Sequence, residues 1–223
     1  VGCVSMGCLA EDNHEIIGID IDSNKIRQIN EGKATVFEKD LSQIISQQRE
    51  KGNISATLDY KSAVLSSDVS FICVGTPNNS DGSLNTDYIF NTISNIVEAL
   101  RFKNSFHTIV IRSTVPPGTC DKIKDFILHS DSNISISNFG VVSNPEFLRE
   151  GTAVEDYKNP NLTVLGSDSA IALNKMKEVY KNIASTICIV DVRVAEMIKF
   201  VNNSFHALKV SFSNEVGNIC KKQ

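Results

Sequence analysis

Four short segments of this sequence gather most of the residues able to do chemistry. They are V-G-T-P (residues 74–77), R-S-T-V-P-P-G-T (112–119), N-P-E-F-L-R-E-G (144–151) and A-E-M-I-K-F-V-N-N-S-F-H (195–206). The first three each follow an apolar run of strand length, so each reads as a loop at the carboxyl end of a strand. Ligands of α/β folds bind along that edge, and one crevice could collect all three loops. In the fourth segment Lys199, Asn203 and His206 stand at helical spacing. At 100° per residue, Asn203 lies about 40° and His206 about 20° from Lys199 around the helix. Val201, Leu208 and Phe212 fall roughly opposite. A stripe holding a cation, an amide and an imidazole is either solvated or the wall of a site, and spacing alone does not choose. At the front, the run H-E-I-I-G-I-D ends at Asp20. Asp20 lies about 18 residues after Gly2, near the offset at which a dinucleotide fold sets a carboxylate against the adenosine ribose hydroxyls.

The elements that must position these groups follow from hydrophobic periodicity. Strands are predicted at 15–20, 69–74, 108–112, 139–142, 162–165 and 187–190. Most are rich in Val and Ile without clean alternation, as expected when both faces of a sheet are covered. Helices are predicted at 3–11, 23–31, 41–50, 60–66, 86–100, 119–129 and 169–183. Alternating short apolar runs with longer amphipathic ones argues for βαβ units and a mostly parallel sheet. The expected fold is therefore α/β, a doubly wound Rossmann-like sheet over residues 1–190. From Val192 onward, apolar residues recur every three or four positions without proline, which predicts one helix of about eight turns. Residues 191–223 read as the start of a helix that connects two domains. The opening V-G-C-V-S-M-G-C-L-A reads as a helix already under way, so the first strand of the fold is expected upstream, with Gly2 the third glycine of its phosphate loop. No cap or breaker marks a helix end at Gln223, so that helix is expected to continue.

Bulk properties exclude several classes. The chain has 223 residues, 41% of them apolar, and a net charge of −4. No basic block stands out, so no nucleic-acid partner is expected. Apolar runs such as 69–75 are far too short to span a bilayer, so no membrane partner is expected. The six cysteines show no metal-type spacing and no histidine at a useful offset, so no metal is expected. No cationic leader precedes an apolar stretch, and a reduced, cytoplasmic protein is the expectation.

Taken in order and spacing, the four motifs resemble the UDP-glucose/GDP-mannose dehydrogenase family across the whole chain. The helix text N-S-F-H-A-L-K-V-S-F-S-N-E-V-G-N resembles the branch acting on GDP-mannose more than the branch acting on UDP-glucose. The resemblance implies NAD as cofactor, a nucleotide-sugar as substrate, and oxidation of the sugar C6 alcohol to a carboxylate in two steps. It implies a homodimer, for the longer protein, built on the last helix. It also implies a nucleophilic cysteine in a G-G-x-C-x-x-K-D segment that this sequence does not contain, so none of the six cysteines is given that role. Residues 1–223 alone are accordingly expected to be inactive.

Carried over position by position, the resemblance sets Gly2 beside the pyrophosphate and Asp20 on the adenosine ribose, with Lys25 near it. Thr76 and Ser113 line the dinucleotide crevice, and Glu150 lies near the nicotinamide ribose or amide. Lys199 stabilises charge developing on the reacting oxygen, and Asn203 donates a hydrogen bond from the same stripe. Glu146 relays the proton of the hydrolytic water, which Thr114 helps to position. Phe147, Leu148 and Arg149 close on the nucleotide-sugar, with simple packing an equal reading for Leu148, and His206 binds substrate. Two rivals remain: a nucleotide-binding module without catalysis, and a β-hydroxyacid dehydrogenase of similar build. The N-P-E-F-L-R-E and T-V-P-P-G-T texts suit the sugar-nucleotide family better.

Overall fold

A computed structural model describes residues 1–183 and 185–222; Gln223, where the helix expectation ends, lies outside the described residues. The first half of the chain forms α1 (Gly2–Glu11), β1 (Ile16–Ile19), α2 (Ser23–Asn30), α3 (Leu41–Glu50), β2 (Ile54–Thr57), α4 (Tyr60–Ser66), β3 (Val69–Ile72) and α5 (Asp87–Leu100). The second half forms β4 (His107–Ile111), α6 (Thr119–Ser130), β5 (Phe139–Ser143), α7 (Ala153–Lys158), β6 (Thr163–Gly166), α8 (Ala170–Val179), β7 (Ile187–Val190) and α9 (Val192–Lys222). Two elements escape the sequence pattern. The strand β2 reads I-S-A-T, with Ser and Thr diluting a run of four residues, and α7 is only six residues long.

The strands form two sheets. β1 pairs parallel with β2, and a five-stranded sheet has the order β3-β4-β5-β6-β7. β3, β4 and β5 run parallel, in a register that sets Ile72 beside Ile111 and Ile111 beside Ser143. β6 meets β5 antiparallel at a single pair, Ser143 with Gly166, and β7 follows β6 in parallel. Among the described residues no strand bonds to β1 opposite β2, or to β3 opposite β4. Both strands are half-buried, whereas every residue of β4 and β5 is buried.

Alternation along β4 and β5 shows how the layers close. Val110 and Val142 point into one core with α1, α3, α7 and α8. Ile109, Ile111, Phe139 and Val141 point into a second core with α5 and α6. Successive side chains leave a strand on opposite faces, so each strand feeds both cores. α1 bridges the two sheets: Met6 lies where a side chain at Gly18 of β1 would be, and Gly2 sits against Cys73, just past β3.

α9 touches this body only through its first turns, burying Ala195, Glu196 and Lys199. It seats on β6 because Gly166 has no side chain: a Cβ there would lie 2.5 Å from the Ala195 Cβ. Past Phe200 almost the whole helix is exposed, including Val201, Phe205, Leu208, Phe212, Val216 and Ile219. Among the described residues no helix is long and apolar enough to cross a membrane.

Candidate functional site

Because β3, β4 and β5 are parallel neighbours, their three following loops leave the same edge side by side. Hydrogen bonds lock the loop roots together. The Ser113 hydroxyl donates to the Val74 carbonyl at 2.7 Å and to that of Ile72 at 3.2 Å. The Thr76 hydroxyl donates to the Thr114 carbonyl at 3.0 Å, and the Asn144 N–H to the Ile111 carbonyl at 2.9 Å. Ser113 and Thr76 thus spend their hydroxyl protons on loop carbonyls. Each oxygen keeps acceptor capacity toward a ligand.

Lys199 arrives over this edge from α9. Its ammonium donates to the Glu146 carbonyl at 2.5 Å and to Glu146 Oε1 at 3.1 Å. Both side chains are largely withdrawn from solvent. The other carboxylate oxygen, Oε2, accepts from the Leu148 N–H at 2.7 Å, which turns the chain back on itself. The Phe147 ring centroid lies 5.5 Å from the Lys199 ammonium. The lysine and the carboxylate, assigned separate roles from sequence, therefore form one ion pair at this edge.

Around this pair the expected residues divide. Leu148 is partly buried and packs against the core. Arg149 forms a two-point pair with Asp156 of α7, with contacts of 2.6 and 3.1 Å, and so anchors its loop to α7. Glu150 is exposed and Thr114 half-buried. Asn203 and His206 lie on the exposed stretch of α9, in line with Lys199 but past the end of the domain.

At the carboxyl end of β1, Asp20 Oδ2 accepts from the Lys25 ammonium at 3.0 Å and Oδ1 from the Asp22 N–H at 3.0 Å. Partial burial pushes its pKa up, but the Asp22 and Lys25 hydrogen bonds together outweigh that and hold it below the usual carboxylate range. A carboxylate offers about four acceptor positions, so roughly two remain for hydroxyl donors. An ionised strand-end carboxylate with spare acceptors fits a ribose diol and opposes a 2′-phosphate.

Four buried or bridging groups went unnoticed in the sequence. Arg112, at the end of β4, donates to Asn144 Oδ1 at 2.7 Å and to the Tyr180 hydroxyl at 3.1 Å, which binds the β4 and β5 loops beneath the site. Glu38 accepts from the Gly151 N–H at 3.0 Å. Glu196 accepts from the N–H groups of Gly118 and Cys120. Arg112 and Glu196 were visible as charges inside quoted motifs; Tyr180 and Glu38 carried no signal, since their partners are distant in sequence. Among the described residues no group of three or more His, Cys, Asp or Glu could hold a metal. Burial pushes the Cys8 thiol up to about 12, and raises those of Cys73 and Cys120 as well, so these three stay protonated.

Two mostly parallel sheets flanked by helices, with three loops leaving one carboxyl edge and a strand-end aspartate, define a Rossmann-like dinucleotide-binding fold. Comparison with known proteins narrows this to a family. Residues 1–184 match the NAD binding domain, and residues 193–223 the central domain, of the UDP-glucose/GDP-mannose dehydrogenase family. The chain belongs to that family. It is 45% identical over 222 residues to the GDP-mannose 6-dehydrogenase of Pseudomonas aeruginosa, a match covering 99% of this chain and 51% of that protein. It is 36% identical over 228 residues to the UDP-glucose 6-dehydrogenase of Rhizobium meliloti, covering 100% of this chain and 51% of that protein. A crystal structure of a ternary complex of GDP-mannose dehydrogenase from P. aeruginosa superposes with a TM-score of 0.95 at 45% identity, over 99% of this chain and 51% of that one. The chain spans about half the length of the curated relatives it matches.

Proposed function

We propose that the protein is an NAD-dependent nucleotide-sugar 6-dehydrogenase that converts the C6 alcohol of a nucleotide-sugar to a carboxylate, with GDP-mannose favoured over UDP-glucose. One observation carries the reading: Lys199 of α9 pairs with Glu146 at the edge where the β3, β4 and β5 loops converge. Bound NAD supplies the hydride acceptor. The chain's own groups handle charge and protons. Lys199 has three N–H donors and spends two on Glu146, so one remains to stabilise negative charge on the C6 oxygen. Glu146, held by Lys199 and the Leu148 N–H, is the acceptor for a proton from the hydrolytic water. Asp20 selects the free ribose of NAD, with Lys25 keeping it ionised. Asn203 and His206 extend the Lys199 stripe toward whatever closes over the sugar, and Thr114, Phe147 and Glu150 rim the crevice.

The division into a NAD-binding part, 1–190, and a connecting helix from 191 onward is supported by the two separate family matches. The exposed apolar face of α9 suits burial in a homodimer of the longer protein. The family resemblance assigns the nucleophilic cysteine to a G-G-x-C-x-x-K-D segment that residues 1–223 do not contain. The free cysteines suit a reducing, cytoplasmic setting.

The test is an assay of NADH release from GDP-mannose and from UDP-glucose, with the chain expressed alone and continuous with its downstream reading frame. The expected outcome is two NADH per GDP-mannose from the extended protein, a lower rate with UDP-glucose, and none from residues 1–223 alone. Steady turnover by residues 1–223 alone would refute the cysteine assignment, and no turnover by either form would refute the activity.

A further inference from the structure

The Glu196 carboxylate is 2% exposed and lies one helical turn before Lys199. Its Oε2 accepts from the Gly118 N–H at 2.5 Å and its Oε1 from the Cys120 N–H at 2.8 Å. Both donors belong to the first turn of α6, whose N-cap Gly118 (φ +88°) provides no side-chain cap of its own. The carboxylate has no lysine or arginine within ion-pair distance among the described residues. Its charge is instead compensated by two N–H groups and by the positive end of the α6 dipole. The N-terminus of α6 is thereby filled from within the protein and closed to any anionic ligand.

The loop that α6 continues carries Ser113 and Thr114, and the helix that carries Glu196 also carries Lys199. We propose that Glu196 is the positioning residue of the site: one buried carboxylate sets the 112–118 loop and the Lys199 ammonium relative to each other. Glu196 and Lys199 are about 60° apart around the helix and about 4.5 Å along it. A rotation of α9 that frees Gly118 and Cys120 therefore also draws Lys199 away from Glu146. The Gly166–Ala195 contact blocks the opposite adjustment, inward toward β6. A carboxylate is needed because two N–H donors require two acceptors; a glutamine would turn its NH2 against one of them. Glu196 touches neither Lys199 nor Glu146, so it acts through placement alone.

The inference rests on the dehydrogenase reading for its kinetic consequence but not for its geometry, and the experiment separates them. Lys199 acylation by an amine-reactive reagent, quantified by mass spectrometry, reads its withdrawal from solvent. Lys103, equally buried at the opposite edge of the sheet, serves as the control for global opening. In Glu196→Ala the labelling of Lys199 is expected to rise about tenfold while Lys103 stays protected, with faster amide exchange at Gly118 and Cys120. Glu196→Gln, which keeps one acceptor, is expected to give an intermediate rise and to fold where the alanine variant does not. Unchanged Lys199 labelling in the folded variants overturns the proposal, and so does a parallel rise at Lys103, which would make Glu196 a general support of the fold. In turnover assays Glu196→Gln is expected to lower kcat about tenfold to a hundredfold, as a misplacement near 1 Å does, with KM for NAD within about twofold. An equal loss in kcat and in NAD affinity would overturn it. A parent protein that releases no NADH would defeat the dehydrogenase reading, and the labelling result would still decide the placement.

Discussion

Two lysines lie at opposite edges of the main sheet and are equally withdrawn from water, Lys103 at 8% and Lys199 at 7% exposure. Lys103 donates to the carbonyls of Val64, Leu65 and Ser67 at 3.0, 2.9 and 2.8 Å, so its ammonium closes the carboxyl end of α4 with every donor used. Lys199 donates to one carbonyl and one carboxylate, both of Glu146, and keeps a donor in reserve. Under the proposed function, burial is thus not what separates a structural lysine from a reactive one. A saturated ammonium facing only carbonyls has no further bond to give. An unsaturated one, paired with a carboxylate where loops converge, keeps the donor that the proposed function assigns to the substrate.

The largest expected effect breaks this contrast at its reactive end. Lys199→Ala should lower kcat about 10²–10³-fold, the cost of one donor aimed at developing charge. Amide protection at α4 and β3 should persist, because nothing in that region depends on Lys199. A kcat within threefold of the parent would make the Lys199–Glu146 pair a packing feature like Lys103.

That contrast also shows how far the sequence could be read. The strands from β3 to β7 and most helices followed from apolar periodicity, which is strongest in β4, β5 and β6, where burial on both faces leaves an apolar run. The site loops followed from their position after strands. What the periodicity missed were β2, whose Ser55 and Thr57 dilute the pattern, and α7, too short to show a period. The stripe of Lys199, Asn203 and His206 was legible, but its meaning was not: only tertiary packing shows that the domain covers the first residue and leaves the other two in solvent. Lys103 gave no signal at all, since a lysine after a helix is ordinarily solvated and its three carbonyl partners lie more than thirty residues upstream.

The next effect sharpens the structural end through pH. His107, fully buried beside Lys103, lies between Ser67, whose carbonyl is 3.2 Å from Nδ1, and Ser70, whose hydroxyl is 2.8 Å from Nε2. Burial, and then the Lys103 charge, hold its pKa down at about 4, against a partial opposing pull from the Ser67 carbonyl and Asp68. The unfolded chain takes up this proton near pH 6.5, and the folded chain does not until about 4. Stability from this group is therefore full above pH 6.5 and declines as pH falls toward 4, by about 3 kcal/mol in all. Urea midpoints at pH 7.5 and 4.5 should fall less steeply with acid in His107→Gln than in the parent. Equal falls would show that His107 does not hold this part of the fold neutral.

A smaller loss is expected from Lys103→Met, which keeps the apolar stem and removes the ammonium. Carbonyls of α4 then lack a partner in a confined space, at about 1–3 kcal/mol. The urea midpoint should drop, while kcat and KM stay within twofold of the parent once the protein is folded. A drop in kcat beyond the change in folded fraction would mean that the two edges of the sheet are coupled.

The smallest effect concerns a third lysine, and it tests whether pairing distance alone predicts importance. Lys25 lies 3.0 Å from Asp20, as close as Lys199 is to Glu146, yet its side chain is 49% exposed. Exposed pairs of this kind contribute about 0–1 kcal/mol, so Lys25→Ala should change NAD affinity less than about threefold. Asp20 itself should matter more, because the proposed function has it accept the ribose hydroxyls directly. A hydrogen bond to a charged group is worth about 1.5–3 kcal/mol, so Asp20→Ala should weaken NAD binding at least about tenfold. The same substitution removes the charge that opposes a 2′-phosphate, so NADP should bind no worse and the preference for NAD should narrow. Calorimetric titration of both dinucleotides against parent, Asp20→Ala and Lys25→Ala reads all of these at once. If Asp20→Ala binds NAD as the parent does, the aspartate is only a strand-end carboxylate held by its neighbours. If Lys25→Ala loses as much as Asp20→Ala, the pair acts as a unit despite its exposure, and solvent access is then the wrong measure for ranking the three lysines.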